Sequence, residues 1–103
     1  MEFSQLNARA RQIHERFNAA AAAQQREPWT REQVMQGFVG DVGDLMKLVM
    51  AKGGARPAEN IDRKLAHELS DCLWSVLVLA ELYGVDLEKE FFATMKDIET
   101  KLG

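Results

Sequence analysis

Asp41 and Asp44, in Gly40-Asp41-Val42-Gly43-Asp44-Leu45, and Glu68 and Asp71, in Glu68-Leu69-Ser70-Asp71, form two acidic pairs. Each pair has i, i+3 spacing, so on a helix both carboxylates project from one face. Each is embedded in apolar sequence: Phe38, Val42, Leu45, Leu48 and Val49 around the first, Leu65, Leu69, Cys72 and Leu73 around the second. Carboxylates beside a packing face are costly unless something neutralises them. If the two helices face each other, four oxygen ligands converge. The matching counter-charge is then a hard divalent cation, Mg²⁺ or Mn²⁺.

Other side chains give weaker signals. Lys47, Lys52, Lys64 and Lys96 are cations that phosphates can use, and Trp29, beside Pro28, reads either as a nucleobase stacking partner or as a structural anchor. Trp74 lies in an apolar stretch and reads as core or interface. His14 and His67 have no metal-ligand spacing with each other or with Cys72. Taken alone, i, i+3 acidic pairs also arise on solvated helix faces.

The elements that must position these residues are helices. Alternating β-branched runs are missing, and long stretches favour Ala, Leu, Glu, Lys, Gln and Arg. The pattern predicts a first helix over about Ser4–Ala23, capped by Ser4, with Leu6, Ala10, Ile13 and Phe17 in one stripe. Pro28 places a loop before Thr30-Arg31-Glu32-Gln33, a capping box opening a second helix to about Ala51. Val34, Phe38, Val42, Leu45 and Val49 are expected on its packing face, with Gly53-Gly54 as its stop. A loop over Ala55–Glu59 leads to a third helix from Glu59 or Asn60 to Tyr83, stopped by Gly84. Val85-Asp86 is a staple and cap for a fourth helix through Phe91, Met95, Ile98 and Leu102.

A chain of 103 residues suits one domain, 1–103, with a modest core. A net charge of −3 offers no basic face, so no nucleic-acid partner is expected. The longest apolar run is far shorter than the ~20 residues that span a bilayer, so no membrane partner is expected. The start of the sequence lacks a signal-peptide pattern, and the single Cys72 forms no intrachain disulfide; both fit a cytoplasmic protein. From Cys72 to Ala80 the third helix is apolar nearly all round, which favours a homo-oligomer, a dimer or tetramer, to complete its cover.

The stretch from Phe38 to Lys101 resembles the MazG-like all-α nucleotide pyrophosphohydrolases, most closely the small dCTP-pyrophosphatase-like branch. Gly40-Asp41-Val42-Gly43-Asp44-Leu45 is similar to that group's Gly-Glu-Val-Gly-Glu-Leu. Glu68-Leu69-Ser70-Asp71-Cys72-Leu73-Trp74 is similar to its Glu-Leu-x-Asp-Val-Leu-Trp/Tyr, and Gly84-Val85-Asp86-Leu87 to the turn before its last helix. The resemblance implies a four-helix bundle completed by oligomerisation, and Mg²⁺-dependent hydrolysis of (deoxy)nucleoside triphosphates to monophosphate and pyrophosphate, clearing the nucleotide pool. It implies Asp41, Asp44, Glu68 and Asp71 as metal ligands and catalytic groups. Lys52, Lys64, Lys96 and Trp29 are the matching candidates for substrate contacts. The sequence departs from the family where Asp41 and Asp44 replace Glu and where Glu99 stands near a usual Asn. Those departures motivate an alternative, an inactive helical binding or assembly module on the same fold.

Overall fold

A computed structural model describes residues 2–54 and 59–103. Among them the chain is all helical, in the order α1 (Phe3–Ala23), α2 (Arg31–Lys52), α3 (Ile61–Leu82) and α4 (Leu87–Leu102). Most of the loop expected over Ala55–Glu59, residues 55–58, lies outside the described residues.

The helix boundaries follow from local chemistry. The Thr30 hydroxyl accepts from the Gln33 N–H at 3.1 Å, and Gln33 Oε1 accepts from the Thr30 N–H at 2.9 Å, the expected capping box. Asp86 accepts from the Lys89 N–H at 3.2 Å, so α4 begins where its cap predicts. Past Leu82, Gly84 takes φ of 67°; the Val85 N–H then donates to Ala80 O and the Gly84 N–H to Glu81 O. This double closure satisfies the last carbonyls of α3 and needs the left-handed residue that glycine supplies. The expected Ser4 cap is corrected: α1 is capped by Glu2, whose N–H donates to Gln5 Oε1 at 2.7 Å. The long Gln5 side chain reaches back three residues, which moves the start one residue earlier.

α2 and α3 form an antiparallel hairpin. Lys52 meets Asp62 at one end, and the Arg31 guanidinium lies 4.9 Å over the Tyr83 ring at the other. α1 packs back along α3, where Trp74 Nε1 donates to Ala10 O at 3.2 Å and Arg11 lies 3.7 Å from Glu81. The buried cluster is small: Ala10, Val34, Leu77 and Val78, with Phe3, Leu6, Trp74, Leu79, Leu82 and Leu87 against it. Trp74 is the wedge between α1 and α3, its ring edge-on to Phe17 at 5.7 Å and to His14 at 6.3 Å. Trp74→Ala should therefore lower unfolding free energy by about 3 kcal/mol, the lower end for an aromatic deletion because the ring is only half-buried. A urea melt shifted by less than 1 kcal/mol would show that α1 does not dock through this ring.

One expectation about α2 is corrected. Val34, Phe38 and Leu45 do face inward, but Val42 is 44% exposed and Val49 is 53% exposed. At 100° per residue, the stripe that continues Val34 and Phe38 runs through Asp41, Leu45 and Leu48. Asp41 thus takes an inward position that an apolar residue was expected to hold.

Candidate metal centre and adjoining cleft

The antiparallel register of the hairpin sets Asp41 and Asp44 of α2 opposite Glu68 and Asp71 of α3. Asp41, Asp44 and Glu68 each offer a carboxylate oxygen, and these oxygens all lie within 4.8 Å of one another. Asp71 is not one of these three: its Oδ2 lies 3.1 Å from His67 Nε2, one helical turn before it on α3, while its charge still acts on both Asp41 and Glu68.

The triad is electrostatically uncomfortable by itself. Burial, then the charges of Asp71 and Asp44, push the Asp41 carboxyl above its ordinary value; the His67 charge opposes this. Burial, then Asp41, Asp71 and Asp44, do the same to Glu68. Glu68 Oε2 is buried without a hydrogen-bond partner. Buried acceptors are ordinarily satisfied, and one left open beside two further carboxylates is an acceptor that a cation would satisfy. Three hard oxygen donors, from one element pair and with no nitrogen or sulfur among them, suit Mg²⁺ or Mn²⁺ rather than a softer metal. Cys72 is no competing ligand, since burial and the neighbouring carboxylates push its thiol up and disfavour thiolate.

Asp41 and Asp71, but neither Asp44 nor Glu68, border a cleft of about 650 Å³ between α1 and the hairpin. Asp41 and Asp71 form its acidic margin, while Phe17, Trp29, Trp74 and His14 supply aromatic walls. Asn18, Ser70 and Ser75 add polar atoms, and among the described residues Arg26 is the one cation in the lining. Trp29 is held over Gly37: a Cβ on that glycine would stand 3.2 Å from the indole Cζ3, so the bare helix backbone is what lets the ring lie close. His14 Nε2 is a second buried polar atom with no partner. A cavity with flat apolar walls and a few unsatisfied polar atoms is the usual form of a small-molecule site.

Of the remaining candidates, Trp29 lines this cleft, whereas Lys52, Lys64 and Lys96 are not among the residues that do. Lys52 Nζ is 2.5 Å from Asp62 Oδ1, an ion pair across the hairpin. It also lies eleven residues beyond Asp41, which on a helix is about 16 Å. Lys64 is exposed on the first turns of α3, and Lys96 borders a shallow depression on α4 with Phe92 and Glu99. Sequence reasoning missed His14 and Arg26. Their only signal is three-dimensional, because α1 must fold onto Trp74 and the α1–α2 loop must return before either approaches the carboxylates. Compared with known protein families, with curated proteins and with solved structures, the chain matches none.

Proposed function

We propose that the chain is a divalent-metal-dependent nucleoside triphosphate pyrophosphohydrolase, working as a homo-oligomer on the cytoplasmic nucleotide pool. The observation that carries this reading is the meeting of three carboxylates, of which Glu68 has an unpartnered buried oxygen and Asp41 lines an aromatic-walled cleft. A nucleobase is a flat, polar-edged group that suits walls of Trp29 and Trp74, and its phosphates would then extend toward Asp41 and Glu68.

Asp41, Asp44 and Glu68 would hold the cation, with Asp71 beside them. When bound, Mg²⁺ or Mn²⁺ neutralises phosphate oxygens and stabilises the charge that develops on departing pyrophosphate. The protein's own groups have distinct tasks. Asp41 or Glu68, whichever the cation leaves free, would take the proton from the water attacking the α-phosphorus. The bond from that phosphorus to the bridging oxygen breaks, leaving monophosphate and pyrophosphate. His67 orients Asp71, and the aromatic walls fix the base and keep bulk water from that side.

The test is release of pyrophosphate from each of the eight common ribo- and deoxyribonucleoside triphosphates in the presence of Mg²⁺. The expected outcome is turnover of at least one, with monophosphate as co-product and none after chelation. An inactive binding module on the same fold is the second reading. It is favoured by Lys52 being tied to Asp62 and by the absence of Lys52, Lys64 and Lys96 from the cleft lining. Cation-induced stabilisation without consumption of any triphosphate would select it.

A further inference from the structure

The cleft holds a cation whose task the proposed reaction leaves open. A triphosphate brings several negative charges to a place that already holds Asp41, Asp44 and Glu68, with Asp71 beside them. One divalent cation does not neutralise both sets, so the phosphates beyond the α-phosphate need a positive group from the protein. The lysines do not supply it, since Lys52 is tied to Asp62 and neither Lys64 nor Lys96 lines the cleft. Among the described residues, Arg26 is the one cation in that lining.

The chain brings Arg26 to the acidic end of the cleft in two steps. First, α1 runs antiparallel to α3. Arg11 meets Glu81, and six residues later the Phe17 ring meets Trp74, seven residues earlier on α3. At that pace Ala21 falls level with Ser70 and Asp71, and all three line the cleft. Second, the end of α1 folds back on Ala21. The Arg26 N–H donates to Ala21 O at 2.7 Å and the Gln25 N–H to Ala22 O at 3.0 Å, the paired bonds that close a helix on a left-handed residue. That residue is Gln25, with φ of 59°, at a position where glycine is the usual choice. The strained turn fixes the Arg26 backbone against the cleft wall.

The Arg26 side chain is left exposed and unengaged. Among the described residues it has no ion pair, although Asp41 and Asp71 border the same cavity. Nor is it one of the charges that move the Asp41 carboxyl, which are those of Asp71, Asp44 and His67. The guanidinium therefore stands across the opening from the carboxylates, with a gap between them that an anion and its metal ion can fill.

We propose that Arg26 grips the β- and γ-phosphates of the triphosphate from the side of the cleft opposite Asp41 and Asp71, and so holds the pyrophosphate that leaves. This rests on the pyrophosphohydrolase reading and names the group that binds its leaving half. A guanidinium offers paired N–H donors that match phosphate oxygens, whereas a lysine offers one point charge. The test is calorimetric titration with inorganic pyrophosphate in saturating Mg²⁺, at about 0.15 M salt to screen distant charges. Arg26→Gln should bind it roughly 10- to 100-fold more weakly, the loss expected for hydrogen bonds between charged groups. Arg26→Lys should recover only part of that loss. Arg16→Gln removes the same charge from an exposed position on α1 outside the cleft, and should bind pyrophosphate like the parent. Arg26→Gln should also keep the parent's full gain in Tm from Mn²⁺, because Arg26 is no ligand of the metal.

Parent-like pyrophosphate affinity in Arg26→Gln overturns the proposal, as does an equal loss in Arg16→Gln, which would be an effect of net charge alone. Loss of the Mn²⁺ gain in Arg26→Gln, or a parent that binds no pyrophosphate, overturns it too. Triphosphate turnover is read separately. A parent that hydrolyses triphosphate while Arg26→Gln binds pyrophosphate equally well loses the Arg26 role and keeps the enzyme. A parent that hydrolyses nothing yet binds pyrophosphate through Arg26 keeps the anion site and loses the enzyme.

Discussion

Glu68→Gln should abolish cation binding and hydrolysis while leaving the metal-free fold at least as stable as the parent. The substitution keeps side-chain shape and volume and removes one of the three charges that converge between α2 and α3. In the metal-free protein those charges repel, and Glu68 carries a buried oxygen without a hydrogen-bond partner. Removing its charge relieves Asp41 and Asp44 and costs no hydrogen bond. With the cation the sign reverses. A site filled to about 100 times its dissociation constant adds about 2.7 kcal/mol to stability, and the variant should lose most of that gain. Hydrolysis should fall by at least about 100-fold, since the same residue is a proposed ligand and one of the two candidate proton acceptors. Differential scanning calorimetry with and without millimolar Mn²⁺, and a pyrophosphate assay, measure the two effects separately. A variant that is stabilised by Mn²⁺ as strongly as the parent would remove Glu68 from the metal site. A variant that loses hydrolysis yet keeps the stabilisation would keep it as a catalytic group only.

The helices were legible because their ends are written in short-range chemistry. Thr30 with Gln33, Asp86, Gly54 and Gly84 each act within four residues of themselves, and each stands at the boundary its type predicts. The inner face of α2 was harder to read. Its apolar residues occupy two stripes, so a reader following apolar positions slides from one to the other between Phe38 and Val42. The inward position goes instead to Asp41, a residue that local hydrophobicity would send outward. Only its pairing with Glu68 on a neighbouring helix makes that placement intelligible.

The candidate site divides along the same line. The spacing within each pair placed Asp41 beside Asp44 and Glu68 beside Asp71, since a helix fixes which residues share a face. Spacing says nothing of competition between partners. His67 claims Asp71 and Asp62 claims Lys52, each by a contact that depends on which rotamer finds which charge first. The cleft was less legible still. His14, Phe17 and Arg26 reach it from α1 and the following loop, and that approach depends on Trp74, some sixty residues along the chain, finding Ala10.

The raised carboxyls of Asp41 and Glu68 also dictate how the metal-free protein responds to pH. Their ordinary values are 3.8 and 4.5, and in the folded chain both are higher, so the folded state holds these protons more tightly than the unfolded state. Protons therefore favour folding here. The destabilising contribution is absent below the ordinary values, develops as pH rises through the window up to the folded values, and is complete above it. The charges that face the pair are Asp44 and Asp71, which deepen the effect, and His67, which opposes it while protonated. Other carboxylates titrate in the same range, so the cluster is isolated by comparison with Asp41→Asn. The Tm difference, variant minus parent, should be near zero at about pH 3 and grow to a positive plateau by neutral pH. Saturating Mg²⁺ should turn that plateau negative, because the parent gains a bound cation that the variant holds poorly. A difference that stays flat from pH 3 to pH 7 would mean that Asp41 is an ordinary solvated carboxylate. A positive plateau that Mg²⁺ leaves untouched would mean the carboxylates repel one another without forming a metal site.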